Sequence, residues 1–218
     1  MRDLVRGVQA WPQQPDPVQR VLRGAVQVTA RTEHVDATAL RSPAQVLAAL
    51  HVAAAAPVLP EHQLGRPRRD SEDCPEGAEL GPLARGRELT ERLDGVAALL
   101  QLLPEAPVLL VAALVHAEVA TLRPFVQGNG LVARALERAV VRAGGLDPTG
   151  VAVPEAGHSA RAGGDYRGAL AAYASRTPDG VRLWLLHCAE AVVAGAGEGG
   201  RVADAVLAGR VAAERAEE

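Results

Sequence analysis

Lysine is absent from this sequence, and aromatic residues and cysteine are scarce. The 23 basic residues are all arginine, set against 26 acidic residues, and the formal net charge is −3. Because arginine replaces lysine everywhere, we interpret its use as a bias of the coding DNA. The chain lacks the strong positive charge of general nucleic-acid binders. We therefore expect no nucleic acid among its partners.

The scarcity of aromatic residues limits what the core can contain. Aromatic residues make up 2% of the chain, whereas apolar residues as a whole make up 48%. The core must therefore consist mainly of alanine, leucine and valine. Alanine and leucine lead the scale of helix propensity, so the composition predicts an all-α fold. The 218 residues are enough for one sizeable core.

Cysteine usage and the lack of long apolar runs bear on the compartment. Cys74 and Cys188 are far apart and do not have metal-binding spacing. A disulfide between them is one interpretation, and two reduced thiols in the cytosol is the simpler one. No apolar run reaches the about 18 residues of a membrane span, and no apolar signal segment opens the chain. We expect a cytoplasmic protein without membrane contact.

Proline and glycine divide the chain into helical segments. N-cap residues followed by proline at 16–17, 42–43 and 177–178 predict helix starts. The segment 107–122 is apolar on every face, so it is expected at the centre of the fold. We predict an extended lead-in at 1–16, one domain of about eight helices at 17–200, and a C-terminal helix with a charged tail at 201–218. Within this scheme the helix that begins at 178 fades into glycines 195–200.

The stretch 123–134, with the sequence RPFVQGNGLVAR, contains the strongest signal. Pro124 disfavours helical geometry at Arg123, so the central helix is predicted to end there. Gly128-Asn129-Gly130 tolerate positive φ and predict a tight turn before the next helix. Unpartnered backbone N–H groups of such a turn bind anions. Arg134, one turn further, adds a guanidinium for phosphate oxygens.

This stretch resembles the signature of the Fic/Doc (Fido) family, His-Pro-Phe-x-Asp/Glu-Gly-Asn-Gly-Arg-x-x-Arg. The family is all-helical, and its active members transfer AMP or another phosphate-containing group from a nucleotide to a protein hydroxyl. The resemblance implies a Fido-like fold and a phosphate-binding loop. The residues it implies for that loop are Gly128, Asn129, Gly130 and Arg134, with Arg123 as a further anion holder.

Three positions that carry the family's chemistry differ in this chain. Arg123 stands where the family has its catalytic histidine, and arginine cannot accept a proton at ordinary pH. Gln127 replaces the acidic metal ligand and, without charge, is a poor ligand for magnesium. Leu131 replaces the first arginine and cannot contact phosphate. We assign no metal ligand and no catalytic residue. His116 is an alternative base, although a hydrogen-bonded core histidine is its commoner role.

The resemblance also implies a short β-hairpin flap. In the family this flap holds a segment of the target protein by strand pairing. The run 64–70 lies at the right place in the order of elements, and Gly65 with Arg68 or Arg69 would correspond. Pro67 removes one donor from any such edge. A solvated basic loop is the alternative, and we favour it.

Active members of the family are often restrained by an inhibitory helix of the pattern Ser/Thr-x-x-x-Glu-Gly/Asn. In this chain Ser71 and Glu76 are one residue too far apart, and Pro75 interrupts the segment. We therefore predict no inhibitory helix.

The leading hypothesis is a Fic-like pseudoenzyme that keeps the phosphate loop and lacks the catalytic histidine. It binds ATP, another nucleotide or a phosphorylated ligand, or presents its fold to a protein partner. The first alternative is an active, AMPylation-like nucleotidyl or phospho-group transferase in which His116 or a substrate group is the base. The second is a protein-interaction module without ligand, with Arg123 facing solvent or the partner.

Overall fold

The computed structural model describes residues 10–209. This range contains eight α-helices and no β-strand, so the all-α prediction is confirmed. The predicted lead-in and charged tail lie partly outside the described residues. The helices are α1 (Pro17–Thr32), α2 (Pro43–Ala55), α3 (Gly86–Gln101), α4 (Val108–Leu122), α5 (Asn129–Ala143), α6 (Pro154–His158), α7 (Gly164–Ala174) and α8 (Pro178–Leu207).

Two of the three predicted N-caps form as expected. Asp16 accepts a hydrogen bond from the Gln19 N–H, and the Gln19 side chain bonds back to the Asp16 N–H in a capping box. The Thr177 hydroxyl caps α8 through the Gly180 N–H. Ser42 precedes α2 without a side-chain cap bond, so Pro43 alone marks that helix start.

Helix α4 is the centre of the molecule. Its side chains are apolar on all faces, and they bury against α3, α5 and α8. Trp184 of α8 is fully buried and donates its indole N–H to the carbonyl oxygen of Ala113. The central position predicted for this helix is confirmed. The helix ends at Leu122 and is followed directly by the stretch 123–134.

Helix α8 is longer than expected, because it continues through glycines 195–200 to Leu207. The predicted end of this helix within glycines 195–200 is therefore wrong. A Cβ atom at Gly195 would lie 2.6 Å from backbone atoms of Val153 and Pro154, and one at Gly199 would meet the backbone of Val151. These glycines let the start of α6 approach α8 closely, so here they serve packing rather than helix termination.

Residues 64–70 form turns and irregular chain, so the β-hairpin flap is not present. The preferred alternative, a solvated loop, is only partly right. The Arg68 side chain is buried and donates to the carbonyl oxygens of Arg123 and Ala84, and its backbone N–H donates to the Pro124 carbonyl oxygen. Arg69 is exposed. Through these hydrogen bonds, residues 64–70 pack against the chain at Arg123 and Pro124.

The two cysteines are both buried free thiols, so the disulfide interpretation is wrong. Burial raises the pKa of each thiol. None of the described helices combines the length and the apolar composition that crossing a membrane requires.

Candidate functional site

The glycine-rich loop joins α4 to α5 through two residues with left-handed backbone conformation. Arg123 has φ 49° and ψ 61°, so the helix ends where Pro124 predicted. Gly128, with φ 89°, is the N-cap of α5. Gly130 lies inside the first turn of α5. A Cβ atom added at Gly130 would lie 3.4 Å from Nη1 of Arg134. The first glycine thus provides the turn and the second makes room for Arg134.

Asn129 holds the loop in shape from inside. Its Oδ1 accepts the Phe125 N–H at 2.8 Å, and its Nδ2 donates to the Phe125 carbonyl oxygen at 2.9 Å. The Phe125 ring is buried and stacks on the His51 ring with centroids 3.9 Å apart. Phe125 is therefore a core anchor that holds the loop against the helices.

The N–H groups of the loop are occupied by a carboxylate of the same chain. The Gly128 N–H donates to Glu76 Oε1 at 2.7 Å, and the Asn129 N–H donates to Glu76 Oε2 at 2.9 Å. Asn129 Nδ2 adds a bond of 3.0 Å to Oε2. The expectation of unpartnered N–H groups is therefore wrong, because Glu76 uses them. The loop nevertheless has the geometry of an anion site.

Sequence reasoning missed Glu76, although one signal pointed to it. Glu76-Gly77 matches the last two positions of the family's inhibitory pattern, and only the spacing from Ser71 and the presence of Pro75 excluded it. The segment forms no helix at Glu76, as predicted, and Gly77 has φ 63°. An irregular turn, and not the inhibitory helix of the family pattern, therefore brings the Glu76 carboxylate to the loop.

The Arg123 guanidinium is directed away from the N–H groups of the loop and into the backbone around residues 76–82. Its side chain is buried, and all five of its N–H groups have a carbonyl acceptor. Nη1 donates to Gly77 at 2.6 Å and Nη2 to Gly81 at 2.7 Å. The remaining acceptors are the carbonyl oxygens of Thr121, Glu76 and Pro82. Burial lowers its pKa. No donor of Arg123 is left for a phosphate.

The other two altered positions of the signature are Gln127 and Leu131. Gln127 is partly exposed, and its backbone carbonyl accepts the His51 Nε2–H at 3.1 Å. Leu131 is partly buried and packs against the core. Neither side chain has an ionic charge to offer a ligand.

A cavity of about 630 Å³ opens over the loop. Its lining includes Glu76, Gly128, Gly130 and Arg134. His158 of α6 and Tyr166 of α7 also line it. Burial raises the pKa of Tyr166, and nearby Arg134 acts in the opposite direction. The cavity thus joins the predicted loop to polar groups that sequence reasoning did not assign to the site.

Behind the cavity lies a buried group of histidines around Glu137. Glu137 Oε2 is 2.6 Å from His116 Nδ1 and 2.9 Å from His158 Nε2. On the far sides of the rings, His116 Nε2 is 3.0 Å from the Tyr166 hydroxyl and His158 Nδ1 is 3.0 Å from His187 Nε2. His116 is a hydrogen-bonded core histidine, so its commoner role is confirmed. It reaches the cavity only through Tyr166.

Burial and hydrogen bonding set the charges of this group. Burial opposes ionisation of Glu137, but the two histidines that donate to it outweigh that effect and hold its pKa well below the ordinary value. Burial lowers the pKa of His116, and burial followed by neighbouring His158 lowers the pKa of His187. We assign an ionised carboxylate to Glu137, with both rings hydrogen-bonded to it.

The sequence profile of the Fic/DOC family matches residues 42–140. This range includes α2, α3, α4, most of α5 and the glycine-rich loop, so this part of the chain is similar to the Fic/DOC family domain. No curated protein shows significant sequence similarity to the chain.

Proposed function

We propose that this chain, whose residues 42–140 are similar to the Fic/DOC family domain, binds a nucleotide or another phosphate-containing ligand without transferring a group from it. The observation that carries the proposal is the Glu76 carboxylate on the loop. Backbone N–H groups of Gly128 and Asn129 hold its two oxygens at 2.7 and 2.9 Å. Two phosphate oxygens fit the same pair of donors, because both groups present two anionic acceptors to adjacent N–H groups.

The cavity supplies room and charge for the rest of such a ligand. Its volume of about 630 Å³ lies within the range of ordinary ligand pockets, about 300–1,000 Å³. Arg134, beside Gly130, provides a planar guanidinium at the end of the loop that can bind phosphate in a bidentate manner.

The absence of transfer follows from two replacements. At position 123 a general base would have to accept the proton of the attacking hydroxyl, and the Arg123 guanidinium is bonded to five carbonyl oxygens. Loss of a general base costs about two to four orders of magnitude in rate. Gln127 contributes no negative charge for a magnesium ion.

Glu76 gives the proposal a sharp test, because a phosphate on the loop must displace it. Calorimetric titration with ATP, GTP, CDP-linked compounds and inorganic phosphate, with and without magnesium, measures binding. In Glu76→Gln the side chain loses one anionic acceptor. Since a hydrogen bond to a charged group contributes about 1.5–3 kcal/mol, we expect affinity to rise about tenfold or more. In Arg134→Ala we expect binding to be lost.

Glu79→Gln is the matched control for this substitution. Glu79 is an exposed carboxylate that lines the same cavity without contacting the loop N–H groups in any bond described above, so its removal should leave affinity within about twofold. If neither the chain nor Glu76→Gln binds any of these compounds at millimolar concentration, the proposal is wrong.

One observation favours the alternative of an active transferase. The chain of hydrogen bonds from Glu137 through His116 to the Tyr166 hydroxyl ends at the cavity wall. Such a chain can take a proton from a tyrosine as a buried acid–histidine pair does. Transfer of labelled nucleotide to the chain itself or to lysate proteins, abolished in Tyr166→Phe, would establish this alternative and overturn the non-catalytic proposal.

A further inference from the structure

Three metal-ligating side chains converge in the interior behind the cavity. One ligand atom from each of His116, Glu137 and His158 lies within 4.8 Å of the other two, and all three residues are buried. Glu137 Oε2 contacts His116 Nδ1 and His158 Nε2. They come from three different helices, α4, α5 and α6. None of the three belongs to the glycine-rich stretch, and the proposed nucleotide site does not use Glu137. The group therefore needs an explanation of its own.

We propose that His116, Glu137 and His158 bind a divalent transition-metal ion of the zinc class. The ligand atoms are the Nδ1, Oε2 and Nε2 atoms named above. Two imidazoles and one carboxylate suit zinc and its neighbours in the first transition row, whereas magnesium and calcium prefer oxygen ligands alone. This proposal does not depend on the proposed nucleotide-binding function.

The outer ring atoms of both histidines already have the partners that a metal site requires. Histidine ligands donate their second ring N–H to an oriented acceptor, which fixes the tautomer that binds the metal. His116 Nε2 is 3.0 Å from the Tyr166 hydroxyl, and His158 Nδ1 is 3.0 Å from His187 Nε2. With an ion bound, His116 donates to the Tyr166 oxygen and His158 donates to His187. Both rings are therefore already oriented toward Glu137.

The second oxygen of Glu137 is a separate indication. Glu137 Oε1 is buried and finds no hydrogen-bond partner among residues 10–209. A buried carboxylate oxygen without a partner is costly, and the charge of an ion bound at the same carboxylate offsets part of that cost. A metal ion on Oε2 also balances the negative charge that Glu137 carries in this interior.

The distances between ligand atoms need only a small change. Two ligands about 2.1 Å from one tetrahedral ion are about 3.4 Å apart. The present separations from Glu137 Oε2 are 2.6 Å to His116 and 2.9 Å to His158. Rotamer adjustments of less than about 1 Å open the group to this size. As the ion enters, each ring exchanges the N–H that faces Glu137 for an N–H on its outer nitrogen.

The site has a route to solvent and room for a fourth ligand. His158 lines the cavity, so an ion can enter from that side without local unfolding. Three protein ligands leave one position of a tetrahedral ion for water or for a group of the cavity's ligand.

Metal analysis of the full chain, prepared without a polyhistidine tag, tests the proposal. The chain is stripped with chelator, incubated with zinc or cobalt(II) in slight excess, and passed over a desalting column. We expect one equivalent of metal to remain bound, a cobalt(II) visible spectrum of tetrahedral N/O type, and a melting temperature several degrees above that of the stripped protein. Magnesium should give none of these.

The informative variants retain the packing of the buried group. Glu137→Gln and His158→Gln keep side-chain hydrogen-bonding groups and similar volume, and each should lose the bound equivalent. His158→Gln is the safer of the two because that side chain lies at the cavity wall. A double variant of the exposed histidines, His34→Gln with His62→Gln, controls for surface binding and should keep the full equivalent.

His187→Gln tests whether His187 is itself a metal ligand or only orients the ligand His158. It removes the partner of His158 Nδ1 but none of the three ligand atoms. We expect the equivalent to be retained with affinity weakened about tenfold to a hundredfold. The proposal fails if the chain retains no more zinc than folded His158→Gln does. It also fails if zinc binding disappears in the surface double variant.

Discussion

At the scale of single residues, Arg123 shows how a position in a catalytic signature can become part of the scaffold. Its backbone is in the left-handed region, which costs a residue with a Cβ about 1 kcal/mol or more. Its guanidinium offsets that cost through five hydrogen bonds to carbonyl oxygens. Those carbonyls belong to the same turn that carries Glu76. The residue in the family's histidine position thus fixes the segment whose carboxylate fills the loop.

We therefore expect Arg123→Lys to destabilise the fold although it conserves the charge. A lysine ammonium has three donors on a flexible stem and cannot reach acceptors spread around a planar fork. Buried carbonyls left without partners should cost about 2–3 kcal/mol. Urea unfolding measures the difference, with Arg87→Lys as control because that side chain is 90% exposed. Equal stability of the chain and Arg123→Lys would contradict the structural role.

At the scale of elements, the glycines of α8 divide into two kinds. Gly195 and Gly199 face the chain at the start of α6, where no Cβ fits. Gly197 and Gly200 point to open space and are exposed. This alternation places α6 against α8, and α6 carries His158 to the cavity. A glycine-rich helix end is thus part of the construction of the site.

Two alanine substitutions on this helix should have opposite signs. Gly195→Ala places a methyl group 2.6 Å from the backbone of Val153 and Pro154, and overpacking of that kind costs about 1–3 kcal/mol. Gly197→Ala meets nothing and should gain up to about 1 kcal/mol, because alanine is the better helix former. Thermal unfolding should move by about 2–4 °C per kcal/mol. A stabilising Gly195→Ala would show that α6 and α8 do not pack so closely.

At the scale of the whole molecule, the cavity joins two parts of the chain. The part similar to the Fic/DOC family, residues 42–140, supplies Glu76, the loop and Arg134. The C-terminal helices supply His158 and Tyr166. The cavity and the proposed metal site therefore exist only when the C-terminal helices are docked on residues 42–140.

The two hydrogen bonds of the buried His51 ring should also make the stability of the fold depend on pH. His51 Nδ1 accepts the Gly65 N–H and Nε2 donates to the Gln127 carbonyl oxygen, so the ring must be neutral. Burial lowers the pKa of His51 from 6.5 to about 4, with nearby Arg66 acting in the same direction and the bond to Gln127 opposing it. The unfolded chain therefore binds the proton more readily. The contribution of the neutral His51 ring to the free energy of unfolding is full above pH 6.5. It falls by about 3 kcal/mol as the pH drops to 4.

The difference between the chain and His51→Gln isolates this effect. Glutamine can replace both hydrogen bonds but does not titrate, so the stability of the chain relative to the variant should decline between pH 6.5 and 4. Other buried histidines titrate in both proteins and cancel in the difference. Exposed His34→Gln serves as control and should parallel the chain at every pH. A constant difference between the chain and His51→Gln over this range would contradict the assignment.

The helical elements and the position of the glycine-rich loop follow from the sequence alone. The composition favours helices as the way to build a core, proline marks the starts of α1, α2 and α8, and the spacing of the glycine-rich stretch locates the turn. These features depend on local propensity and periodicity, which are properties of neighbouring residues. The resemblance to the Fic/Doc family lies in the same stretch.

The residue that occupies the loop and the residues that surround the cavity depend on helix packing. Glu76 lies 52 residues before Gly128, and His158 lies 21 residues after Glu137, with no acidic residue beside it in the sequence. Contacts across such separations depend on how helices pack, which no local pattern encodes. For the same reason, the partners of the Arg123 guanidinium could not be read from its position in the signature. Charge and residue type were visible in the sequence, whereas the direction of each side chain came from the fold.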